Sequence, residues 1–175
     1  MKRYIILAFL SLMSTVFVSA QGPSIVGKWT TLSNQDRNQK TYLIMNFDSQ
    51  GEVTFEMRVV AYPAKELELN YFAKVKGHYE RSVKAISQEF ELNSMTSDLE
   101  IFVNDPRITE EQKNQFIKLL KQESQKEMAN IEQGLRPYIA HGIFYQIISL
   151  SDELLVLGQP NDIHTFHKGG IEDYK

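Results

Sequence analysis

The chain has 175 residues, no cysteine and a formal net charge of −3. The missing cysteine excludes disulfides, zinc–thiolate sites and thiol nucleophiles. Charges of both signs are dispersed, with no basic block or basic helix face, which argues against nucleic acid or an anionic membrane surface as a partner.

Residues 1–20 carry the parts of an export signal. Lys2 and Arg3 supply the positive start, an apolar run follows, and Val18, Ser19 and Ala20 give small residues for cleavage. The run is too short for a stable membrane span, and no other segment nears the ~20 apolar residues that one requires. A mature domain over residues 21–175 is therefore expected, exported to the periplasm or beyond and soluble once the signal is cut. No cysteine stands at the cleavage point to take a lipid, so no membrane anchor is expected. Lys2 and Arg3 leave with the signal, so 17 basic residues then face 22 acidic ones, a net charge of −5. That length suffices for one domain with a sizeable core.

The mature sequence then alternates in period two. Residues 25–32 form a first short strand, 33–39 a polar turn, and 41–47 a second strand. Asp48, Ser49, Gln50 and Gly51 make a tight turn into a third strand over 53–61, where Val53, Phe55, Met57, Val59 and Ala61 share one face. The pattern repeats with Tyr71, Ala73, Val75 and Tyr79, with Ile86, Gln88 and Phe90, and with Leu99, Ile101 and Val103. Later strands are expected over 139–149, 154–157 and 163–167. Short strands joined by short turns predict an antiparallel meander, since parallel strands need long crossovers. The tail 169–175 carries no ordering signal and is expected to fray.

One segment breaks the alternation. Thr109 and Gln112 form a capping-box pattern, Glu110 and Glu111 suit a helix N-terminus, and Gly134 before Pro137 supplies a stop. A single long helix over about 109–134 is expected, its apolar stripe interrupted at Ser124. It is either a structural plug or a lid, or, over 110–133, a surface for a protein partner.

The candidate chemistry is sparse. Tyr71, Tyr79 and Gln88 fall on inward faces with Phe55, Met57, Phe90, Tyr145 and His141, the last of which alternates with Ile139 and Ile143. Such a lining, mostly apolar with a few polar handles, suits an amphipathic small molecule, and suits equally a barrel filled by its own side chains. His164 and His167 stand three apart, which on a strand puts them on opposite faces and rules out a shared metal. No nucleophile elbow, phosphate loop or dinucleotide fingerprint is present, so no catalytic residue, cofactor or metal ligand is assigned.

Gly27, Lys28 and Trp29 on the first strand, the hairpin of residues 42–53 and the closing hairpin of residues 145–157 carry a resemblance. Together they resemble the lipocalin-like domains of small exported bacterial proteins of the Bacteroidota type, over residues 25–167 apart from the helix. The resemblance implies an all-β, up-and-down barrel of about eight strands, with Gly27 and Trp29 as structural residues. It implies that Trp29 closes one end of the barrel beneath a basic side chain from a late strand, for which Lys168 is the nearest candidate. The expected function is non-enzymatic binding of a small apolar or amphipathic molecule inside the barrel. The alternative is an interaction protein with a filled barrel that docks a partner through the helix or a sheet edge.

Overall fold

The computed structural model describes residues 23–173. The export signal read in residues 1–20 lies outside the described residues, as do residues 174 and 175.

Nine strands are described: β1 (Gly27–Gln35), β2 (Gln39–Phe47), β3 (Glu52–Ala64), β4 (Leu67–Arg81), β5 (Ala85–Phe90), β6 (Thr96–Val103), β7 (Ile143–Leu150), β8 (Leu154–Gln159) and β9 (Asp162–Lys168). Every pairing is antiparallel. Eight strands close into a barrel in the order β1-β2-β3-β4-β5-β7-β8-β9, with β9 returning to β1. The expected meander is therefore present, and the ninth strand, β6, stands outside the ring.

The extra strand follows from the length of β4. Its second half, Gly77 to Arg81, pairs with β5, whereas its first half, Leu67 to Lys74, pairs with β6 along the same edge. A short 3-10 turn at Leu92–Ser94 joins the two shorter strands. The Lys76 amide donates to Ser94 Oγ and the Glu91 amide donates to the Lys76 carbonyl, so the edge between β5 and β6 stays hydrogen-bonded. At this join Gly77 lies against the backbone of Glu89 and Phe90, a closeness only a residue without a Cβ permits.

Alternation places Trp29, Met45, Phe47, Val53, Phe55, Ala73, Val75, Ile86, Tyr145, Leu155, Leu157 and Phe166 in one interior core. A smaller outer cluster of Tyr42, Ile44 and Val60 lies on the opposite face of β2 and β3. Ile171 covers it, held in a 3-10 turn at Ile171–Asp173, and Gly170 is buried. The Thr30 hydroxyl donates to the Gly169 carbonyl at 2.7 Å. The described part of the tail is thus packed rather than frayed, because it finishes an apolar patch that β2 and β3 leave on the barrel's outside.

The single helix expected over 109–134 is two helices, α1 (Glu110–Glu123) and α2 (Gln125–Ile139). The capping box is formed: Thr109 accepts from the Gln112 amide and Gln112 accepts from the Thr109 amide. The break falls at Ser124, whose φ of −84° and ψ of 1° leave the helical region. Its buried hydroxyl is 3.2 Å from the Tyr71 hydroxyl, which ties the break to β4, while the Ser124 amide and carbonyl keep Leu120 and Met128 as helical partners. Nor do Gly134 and Pro137 stop the second helix. Beyond Gly134, Leu135 and Ile139 reach the barrel core, 2% and 1% exposed. Burying each stabilises by about 1.5–3 kcal/mol, enough to offset one missing proline hydrogen bond near the helix end. The stop comes at Gly142, whose φ of +70° is the left-handed conformation that favours glycine. Consequently β7 starts at Ile143, not at Ile139 as the alternation suggested.

α2 packs against β4 and β6. Ser97 donates to the Glu132 carboxylate and Lys121 lies 3.6 Å from Asp98, which ties both helices to β6. No helix among the described residues is long and apolar enough to cross a membrane.

Candidate functional site

Strand directions divide the barrel into two ends. At one end the chain enters through Pro23 and Ile25, β1 begins, and the β2–β3 and β4–β5 hairpins turn. This end is sealed. Trp29 is fully buried and its indole N–H donates to the Ile25 carbonyl at 2.6 Å. Lys168, its partner on β9, sets Nζ 5.4 Å from the indole ring centroid, a cation–π distance. Gly27 adopts a φ of +128°, and a Cβ there would stand 3.2 Å from Lys168 Cε. The glycine thus makes room for the lysine that covers the tryptophan. Tyr79 completes the seal, edge-on to Phe47 with centroids 4.9 Å apart, its hydroxyl donating to the Asp48 carbonyl at 2.6 Å.

The opposite end is open. β1 pairs with β9 at only two positions, Trp29 with Lys168 and Thr30 with His167. Beyond them the two strands separate, and the seam between them leads inward. Behind it lies a cavity of about 360 Å³. Leu43, Phe55 and Met57 from β2 and β3, Ile143 and Tyr145 from β7, and Leu135 from α2 form its apolar lining. Ser33, Thr41, Gln159, Asp162 and His164 supply its polar groups. Ser33, Asp162 and His164 also border a shallow outer recess along the seam, with Thr31, Ile163 and Thr165. They therefore stand between the outside and the lumen.

The polar rim is organised around one pair. His164 Nε2 lies 3.2 Å from Asp162 Oδ2, with His164 mostly covered and Asp162 largely exposed. The imidazole stands edge-on to the Tyr145 ring, centroids 6.2 Å apart. Burial, and secondarily the Asp162 charge, pushes the Tyr145 phenol up to about 12. Tyr145 therefore stays a neutral hydroxyl at physiological pH, able to donate or accept. Neither lysine nor arginine lines the cavity or the recess.

Of the lining expected from sequence, Phe55, Met57 and Tyr145 meet in this cavity. Phe90 packs on Phe55 with centroids 5.9 Å apart and so supports the lining from behind. Tyr71 anchors the helix break, and Tyr79 belongs to the sealed end. Gln88 is inward and 1% exposed, its amide N–H₂ 3.5 Å from Met45 Sδ and its Oε1 without a protein partner. His141 is a correction: it is exposed in the turn after α2 and is not among the residues that line the cavity. The apparent alternation with Ile139 crosses a helix end, where period two does not apply.

Sequence reasoning missed Asp162, His164, Ser33 and Leu135. The spacing of His164 to His167 speaks only to a shared metal. The Asp162-x-His164 spacing, which puts both side chains on one strand face, was the available signal. His164 and His167 do fall on opposite faces of β9, and among the described residues no group of three or more His, Asp or Glu is placed to hold a metal ion. No known protein family matches the sequence, and a search of curated proteins finds no match.

Proposed function

We propose that this is an exported lipocalin-like protein that carries a small amphipathic molecule in the open end of its barrel. The observation that carries this reading is the cavity of about 360 Å³, with an apolar floor, a few polar groups at its mouth and a seam beside it where β1 and β9 pair at only two positions. Its volume falls in the range of small-molecule sites, and its polar groups sit where a head group would remain near water. The Gly27–Trp29–Lys168 arrangement supports the lipocalin-like reading, since it seals one end as that resemblance implies.

The test is binding of a neutral environment-sensitive fluorophore, N-phenyl-1-naphthylamine, to the folded domain and to a Met57→Trp variant that fills the cavity. Saturable enhancement that is lost in the folded variant supports the carrier. Enhancement that persists unchanged in the variant sinks it.

A second reading, a docking protein, is favoured by one observation. α1 contributes no buried residue and leaves Phe116 and Leu119 exposed. A stable hetero-complex that dissociates on Leu119→Asp, with no ligand in the barrel, would replace the carrier.

A further inference from the structure

The chemistry of the cavity mouth selects among amphiphiles, an inference that rests on the carrier reading above. The ionisable groups at the mouth are Asp162 and His164, which faces the Asp162 carboxylate at 3.2 Å, and His167 stands on the outer recess along the seam. No guanidinium or ammonium stands among the lining residues to neutralise an incoming acid. The remaining polar neighbours, Ser33, Thr41, Gln159 and the neutral Tyr145 hydroxyl, offer dipoles rather than charge. A carboxylate or phosphate head drawn through the seam would pass Asp162 and lose hydration without gaining a lysine or arginine counter-ion. An ammonium head would meet a carboxylate that keeps one face toward the seam, and a hydroxyl head would find acceptors without a charge penalty.

We infer that the ligand is an amphiphile whose head donates hydrogen bonds and carries no negative charge, with an amine favoured over a carboxylate on the same chain. Asp162 is the residue that sets this preference, and the apolar tail lies on Phe55, Met57 and Leu135. Free fatty acids and phosphorylated lipids are disfavoured by the same carboxylate.

The experiment is displacement of N-phenyl-1-naphthylamine from the folded domain by decylamine, decanol and decanoate, the two ionic amphiphiles below their micelle concentrations and decanol below its solubility limit. The expected order is decylamine, then decanol, then decanoate, with amine and acid separated by about tenfold, the sum of the attraction of the amine and the repulsion of the acid at a largely exposed carboxylate. Asp162→Asn, an isosteric change at an exposed position, brings the three to within about threefold, and added salt narrows the wild-type separation in the same direction. Decanoate displacing as well as or better than decylamine overturns the inference and leaves the carrier standing. A tenfold separation that survives both Asp162→Asn and added salt overturns Asp162 as its source. Displacement by none of the three, with the fluorophore itself unbound, overturns the carrier reading and this inference together.

Discussion

Leu135 is where helix and barrel meet, so truncating it tests how the open end is built. Its side chain is 2% exposed, sits in the interior core and forms part of the cavity lining. Leu135→Ala removes three carbons, a transfer loss of about 2.4 kcal/mol at ~0.8 kcal/mol per methylene. A cavity contribution adds to this and takes typical buried Leu→Ala costs to about 3–5 kcal/mol. Leu135 already faces empty space on one side, so the lower end applies, about 3 kcal/mol. For a domain of this size each kcal/mol lowers the melting temperature by about 2–4 °C, so a fall of roughly 6–12 °C is expected. Urea titration followed by circular dichroism gives the free energy, and thermal scans give the temperature. Leu119→Ala on α1, where the side chain is 58% exposed, is the matched control and changes stability by less than about 0.5 kcal/mol. Equal small effects at both positions would show that α2 is not packed into the barrel and would refute the account of the open end.

Three other outcomes follow from single residues. The unfolded chain ionises Tyr145 near 10 whereas the folded protein holds its proton to about 12, so stability is full below pH 10 and falls as pH rises through that window. Tyr145→Phe removes on the order of 2 kcal/mol of that alkaline loss. Burial also raises Tyr42 and Tyr79, so part of the decline remains; parallel wild-type and variant curves would contradict the assignment. Gln88→Met replaces a buried amide whose Oε1 is unpaired with an apolar side chain of similar length. It leaves stability unchanged or raises it by up to about 1 kcal/mol in chemical denaturation, and a loss of that size would mean the oxygen is satisfied. Gly77→Ala drives a Cβ into the Glu89 carbonyl and costs about 3 kcal/mol, whereas Gly134→Ala, with open space around it in α2, gains about 0.5–1 kcal/mol. Thermal scans of both variants check the pair, and the same sign at both positions would refute the packing at the β4–β5 join.

Much of the barrel was legible because period two reports one thing directly, namely which side chains share a face. Val53, Phe55 and Met57 alternate against Thr54, Glu56 and Arg58, and the resulting strand pairs register for register with β2 and β4. The capping box at Thr109 and Gln112 was equally local and equally readable. Phe55, Met57 and Tyr145 reached the cavity for the same reason. His141 failed because its neighbours belong to a helix end, and a two-residue repeat cannot distinguish a strand from the last turn of a helix and the glycine that ends it.

What sequence alone determined, then, is the antiparallel meander, the inward faces of its strands and the position of a helical insertion, because these depend on neighbours within a few residues. Tertiary structure decided the rest. The break at Ser124 meets the hydroxyl of Tyr71, 53 residues away, and the helix runs past Gly134 because the barrel buries Leu135 and Ile139. The cavity exists because β1 and β9, from opposite ends of the chain, pair at two positions and then part, bringing Ser33 and Thr41 to the same mouth as Asp162 and His164. Contacts between residues so far apart in sequence leave no periodic trace, since each is fixed by barrel closure and not by anything its neighbours along the chain impose.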